Sequence, residues 1–172
     1  EDVPVPSNPV ENTLKLLSEE KPVRILAMPP YDESIAAALR TFFPDAEITV
    51  EAWPTENLTL AEIEESAKVR VRSLKPDLVV IAIPRSAASD NDETFAASYA
   101  WVMNWSLNFG SPTWDVVVVH PSVTESMSEP AERDDLIRRL VNAQDLLLID
   151  RPANSTATPQ EILLEWLQQF AK

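Results

Sequence analysis

Apolar residues in this chain gather in five short runs, separated by longer stretches with helical spacing. The runs are Val23–Met28, Glu47–Trp53, Asp77–Ile83, Asp115–His120 and Asp145–Asp150. All five read as buried strands. The third and fourth hold LVVIAI and VVVV, continuous rather than alternating. That is the pattern of strands covered on both faces, as in a parallel sheet. Helices are predicted over Asn12–Glu19, Glu33–Phe43, Thr59–Leu74, Glu93–Asn108, Glu129–Ala143 and Pro159–Phe170. Ile35, Leu39 and Phe42 fall on one face of the second of these. Thr59 with Glu62, and Thr158 with Pro159 and Glu161, are strong helix-start signals, and Ser128 is a good cap for the helix behind it.

Strand and helix alternate five times, which predicts an α/β protein with right-handed crossovers. The expected architecture is a three-layer α/β/α sandwich around a five-stranded parallel sheet, in the flavodoxin-like strand order 2-1-3-4-5. Residues 1–10, opening EDVPVPSNP, read as an extended linker, and residues 11–172 as a single domain.

Composition narrows the chemistry. The only glycine is Gly110, against 15 prolines. Dinucleotide fingerprints and P-loops need several glycines so that backbone can approach phosphate, so neither can be written here. There is no cysteine, which removes disulfides, thiolate nucleophiles and Cys-based metal sites. The net charge of −14 repels nucleic acid and anionic membrane surfaces. It reads first as solubility, and more sharply as steering of a cationic ligand. No apolar run reaches the roughly 18–20 residues of a membrane span. Acids such as Asp32, Glu33, Asp90 and Asp92 read as complements to helix dipoles rather than metal ligands, so neither metal nor cofactor is expected. Asn-x-Ser/Thr triplets at Asn57, Asn104 and Asn154 assign no compartment by themselves.

In such folds ligands bind outside the carboxyl ends of the strands. Those exits carry Pro29-Pro30-Tyr31-Asp32-Glu33-Ser34, Trp53-Pro54, Pro84-Arg85-Ser86, His120-Pro121-Ser122 and Asp150-Arg151-Pro152. Each has a proline close to the strand end, which stops the strand and removes donors that an oxyanion hole would use. A surviving pocket is expected to be lined by Tyr31, Asp32, Ser34, Trp53, Arg85, Ser86, His120 and Asp150. Tyr31 and Trp53 are the pair placed to stack a small ligand or carbohydrate, and Arg85 is a fork for a carboxylate or sulfate. Trp101 and Trp105, four apart, read as packing residues, and Trp114 lies at the opposite end of the sheet. With one histidine in the chain, the one triad that can be written uses His120 with Ser34 or Ser86 and a carboxylate such as Asp32 or Asp150.

The succession VRILAM, a helix ending at FFPDAEITV, the helix Thr59–Leu74, KPDLVVIAIP and WDVVVVHPSV resembles the SGNH (GDSL-like) hydrolases from about Val23 onward. The resemblance implies a nucleophile in Gly-Asp-Ser after the first strand, a Gly-x-Asn-Asp loop after the third, and an Asp-x-x-His near the C-terminus. Here Pro29, Pro30 and Tyr31 stand over the first motif. Pro84, Arg85, Ser86 and Ala87 stand over the second, and the loop Asp150–Pro159 holds no histidine. The expectation is therefore a diverged member that has lost hydrolysis and acts as a binding or accessory domain, attached to a larger secreted or envelope protein. Two alternatives stay open: an esterase or carbohydrate deacetylase with a relocated triad on His120, and a structural module that meets a protein partner through its surface.

Overall fold

A computed structural model gives the fold and describes residues 9–107, 114–125 and 132–171. Most of the expected linker, Gly110, the Ser128 cap and the start of the helix behind that cap lie outside the described residues. The strands are β1 (Val23–Ala27), β2 (Ile48–Ala52), β3 (Leu78–Ile81), β4 (Asp115–Val119) and β5 (Leu148–Ile149). The helices are α1 (Glu11–Ser18), α2 (Tyr31–Arg40), α3 (Leu60–Leu74), α4 (Asp92–Ser106), α5 (Pro121–Thr124), α6 (Glu132–Ala143) and α7 (Pro159–Gln168).

All strand pairs are parallel and the order is β2-β1-β3-β4-β5. Helices cover both faces of the sheet, with α3, α4 and α6 packed side by side and α2 packed against α7. The continuous apolar runs explain the centre. Every residue of β3 is buried, as are Val116 to Val119 of β4. Each such side chain contributes roughly 1.5–3 kcal/mol of burial.

Two expectations are corrected at the edges. β2 is half-exposed, because as an edge strand it is covered incompletely. β5 spans two residues rather than the whole of Asp145–Asp150, since Leu148 and Ile149 alone reach pairing distance of β4.

Capping explains most helix starts. α3 and α7 begin with the capping boxes of Thr59 with Glu62 and Thr158 with Glu161. Asn91 caps α4 by accepting from the N–H of Thr94. Val10, before α1, has no polar side chain, and the acceptor comes from another strand. The Asp115 carboxylate accepts from the N–H and hydroxyl of Thr13 at 2.7 and 2.6 Å. The tight turns use αL backbone without glycine. Lys75 closes α3 at φ 50°, and Asn57, Asp145 and Asn154 take similar values.

Candidate functional site

The strand order reverses between β1 and β3, which is where this class of fold opens a ligand crevice. Here Met28 and Ala82 bond to each other across those two strand ends. Met28 follows β1 fully buried, and its Sδ accepts the N–H of Ala82 at 3.1 Å, just past the end of β3. A backbone donor that could have faced a ligand is thereby consumed.

Tyr31 comes next, after a cis Pro29–Pro30 bond, as the first residue of α2. The helix thus starts two residues earlier than its spacing predicts. Tyr31 is buried, with its phenol oxygen 2.7 Å from Thr124 Oγ1 of α5. Burial pushes that phenol above its usual pKa, against the pull of the Thr124 bond. Trp53 is likewise in the core, donating Nε1–H to Ser66 Oγ at 2.8 Å. A stacking platform needs an open ring face, and these two rings are covered.

Ser34 donates its hydroxyl back to the carbonyl of Pro30, and Ser86 stands exposed in its loop. Neither bonds to His120 among the described residues. Asp32, in the first turn of α2, has one buried carboxylate oxygen without a hydrogen-bond partner among the described residues.

His120 itself is completely buried. Its Nε2 lies 2.9 Å from the carbonyl oxygen of Asp134, an acceptor only, so Nε2 carries the proton. Nδ1 is then the acceptor, and it receives the N–H of Ser122 at 3.1 Å, capping α5. Ser122 Oγ lies 2.7 Å from Nδ1 and 3.0 Å from Asp150 Oδ1. One hydroxyl proton therefore faces two acceptors. Burial lowers the imidazole pKa, more than the Asp134 carbonyl and the Asp150 charge raise it.

Asp150 is tied down in turn. Arg138 donates to it at 2.7 Å from Nε and 3.3 Å from Nη2, and the N–H of Arg151 adds a third bond at 2.8 Å. Burial alone would raise this carboxyl. The Arg138 bond and the Ser122 hydroxyl outweigh it and hold the group below its usual range. Arg151 spends its guanidinium on four carbonyls, those of Ser122, Val123, Ser155 and Ala157. The loop after β5 is thereby clasped to α5.

Arg85 is also engaged. Its Nε and Nη2 form a fork on Asp134 at 3.2 and 2.8 Å, and Nη1 donates to the carbonyl of Glu125. Asp134 is buried, so this is an internal ion pair and no free fork is left for a carboxylate or sulfate. Beside it, between the first turns of α4 and α6, opens a cleft of about 370 Å³. It lies at the carboxyl ends of β3 and β4 and is walled by Pro84, Phe95, Pro121 and Ile137 beneath a charged rim.

The structure thus brings His120 and Asp150 together, and leaves Tyr31, Asp32, Trp53, Ser34 and Ser86 outside that network. Sequence reading misses Ser122, Asp134, Arg138 and Arg151 as partners. The one available signal was the exit His120-Pro121-Ser122, which carries a hydroxyl two residues from the only imidazole. Among the described residues no cluster of three His, Asp or Glu side chains is arranged to hold a metal, and no helix is long and apolar enough to cross a membrane. The exposed large hydrophobics among them are Val69 and Trp101.

No family model matches the chain, and no curated protein matches it. Solved structures do match: the chain has the α/β fold of SGNH-type esterases. Among them is Axe2, an acetylxylan esterase from Geobacillus stearothermophilus, with 13% identity over 87% of this chain and 94% of that one, and a TM-score of 0.61. Variants of Axe2 at a serine, an aspartate and a histidine are catalytic mutants of that enzyme. Another is a two-domain esterase active on acetylated mannans, co-crystallised with mannopentaose. It shares 11% identity over 94% of this chain, with a TM-score of 0.68, and this chain spans 52% of its length. A third is LAE5, an α/β hydrolase from the metagenome of Lake Arreo, Spain, at 16% identity over 86% of this chain and 82% of that one, with a TM-score of 0.56. At these identities the likeness is one of fold.

Proposed function

We propose that this domain keeps the architecture of an SGNH-type esterase without the hydrolysis, and serves as a binding or accessory domain for a small ligand. The observation that carries the reading is the state of His120. Acyl transfer needs an imidazole that can reach a nucleophile and pass its proton on to a leaving group. Here the ring has no exposed surface and both nitrogens are spent within the fold. The reading gains support at the head of α2, whose first residue is a buried tyrosine and not a serine, and after β1, where Met28 is buried with its sulfur on the N–H of Ala82.

One observation favours a second reading. Ser122 Oγ lies within proton-transfer distance of His120 Nδ1, with the ring oriented through Nε2 by the Asp134 carbonyl. A base held by a third group beside a hydroxyl is the minimal nucleophile arrangement. In this reading Ser122 Oγ attacks the acyl carbon of an ester and His120 takes the hydroxyl proton, which it returns to the alcohol that leaves as the ester C–O bond breaks; water then hydrolyses the acyl-enzyme, and the domain is an esterase with a relocated site.

Fluorophosphonate labelling with peptide mapping, run beside hydrolysis of short-chain aryl esters, separates the two. The binding reading expects no adduct and no turnover above a heat-denatured control. An adduct on Ser122, with turnover abolished in Ser122→Ala and His120→Ala, would establish the second reading and discard the first.

A further inference from the structure

We propose that the cleft between α4 and α6 is a binding site for a small organic cation, an amine or guanidinium carried on an apolar body. The inference rests on the reading of the domain as a binder and gives that reading a site and a ligand chemistry.

The position is the first argument. The cleft opens at the carboxyl ends of β3 and β4, and its size falls in the range of small-molecule pockets. Among the described residues, Phe95 and Ile137 form its apolar walls at this end of the sheet. Its apolar walls suit a hydrocarbon or aryl group and not a fully hydrated ion.

Charge selects the rest of the ligand. The side-chain cations at the cleft are already engaged, since Arg85 has given its donors to Asp134 and Glu125. Arg133 is paired with Asp92 at 3.2 Å and lies over the Phe95 ring, 4.7 Å from its centroid. The ring face is therefore already a seat for a guanidinium, which is the geometry by which aromatic rings hold cations. Three carboxylates line the cleft, those of Asp92, Glu132 and Asp134, against the two guanidinium groups of Arg85 and Arg133. The surplus carboxylate is Glu132, which is exposed and has no hydrogen bond or ion pair among the described residues. The field of the whole molecule, at −14, points the same way and would raise the local concentration of a cation. An ammonium group held at Glu132, with its apolar body against Ile137 and Pro84, meets these features.

The test titrates the isotope-labelled full chain with three probes of one shape, phenethylamine, 2-phenylethanol and phenylacetate, and follows backbone amide shifts. The expected result is saturable movement of the Phe95 and Ile137 amides with phenethylamine. Binding should weaken in about 0.5 M NaCl, and roughly two- to fivefold in Glu132→Gln. The neutral probe should bind less well and the anionic one least. Glu132 is exposed, so its substitution leaves the core untouched. No saturable shift at these amides would overturn the proposal. So would equal affinity for the three probes, preference for phenylacetate, or an unchanged affinity in Glu132→Gln. The titration reads occupancy of the cleft, whereas labelling reads a nucleophile at Ser122. A failure of either therefore leaves the other result standing.

Discussion

At the scale of single residues, His120 is a buried ring held through both of its nitrogens. Its folded pKa lies below the unfolded value of about 6.5 because burial penalises the charged ring. The neutral ring therefore stabilises the fold in full above about pH 6.5, and that contribution is lost as pH falls through the lower folded value. Asp150, also depressed, adds a second loss below about pH 4, where the unfolded carboxyl begins to take up protons. Thermal melts across pH should show the midpoint falling from about pH 6.5 downward. His120→Asn should flatten the upper part of that fall and leave the lower part in place. An unchanged slope in the variant would assign the acid sensitivity elsewhere. The sequence makes His120 legible as the one imidazole and places it at a strand exit, but its partners are not legible. Asp134 lies 14 residues downstream and acts through its backbone carbonyl, which no side-chain pattern marks. Tyr31 and Trp53 mislead for a related reason. An aromatic residue beside a loop looks exposed until the packing of α5 and α3 over it is known.

At the scale of elements, the pattern was readable wherever local chemistry decides. Capping boxes place the starts of α3 and α7 to the residue. Continuous apolar runs mark β3 and β4, whose two covered faces need no alternation. The start of α2 was less readable, since two prolines precede it and Tyr31 carries no cap signal of its own. The start of α1 depends on Asp115, in a strand more than a hundred residues away. Replacing Asp115 with Ala removes the acceptor for the Thr13 N–H and hydroxyl, at a cost of roughly 1–2 kcal/mol for a lost helix cap. Hydrogen exchange should then quicken at the amides of α1 and leave those of α3, capped within its own sequence, at their original rates. Equal quickening in both helices would mean that Asp115 acts on the sheet as a whole.

At the scale of the whole molecule, the fold is the most legible property and the function the least. Five alternations and the right-handed crossover rule limit the doubly wound sheet to a few strand orders, of which the flavodoxin-like one is observed. The site instead joins the ends of β4 and β5 to the first turns of α5 and α6, and those distances are not written in any one segment. The charge of −14 does have a reading at this scale, because like charges repel most when the chain is compact. Raising NaCl from about 10 mM to about 0.2 M should lift the melting midpoint, as screening relieves that repulsion. A midpoint that falls with salt would mean that surface ion pairs, such as Arg138 with Asp135, outweigh it. The clasp between Asp115 and α1 also bears on the order of folding. During synthesis α1 emerges about a hundred residues before the carboxylate that caps it. A contact of such sequence separation carries a large loop-closure cost until the sheet has formed. Helix α1 is therefore among the last of the described elements to be locked in place.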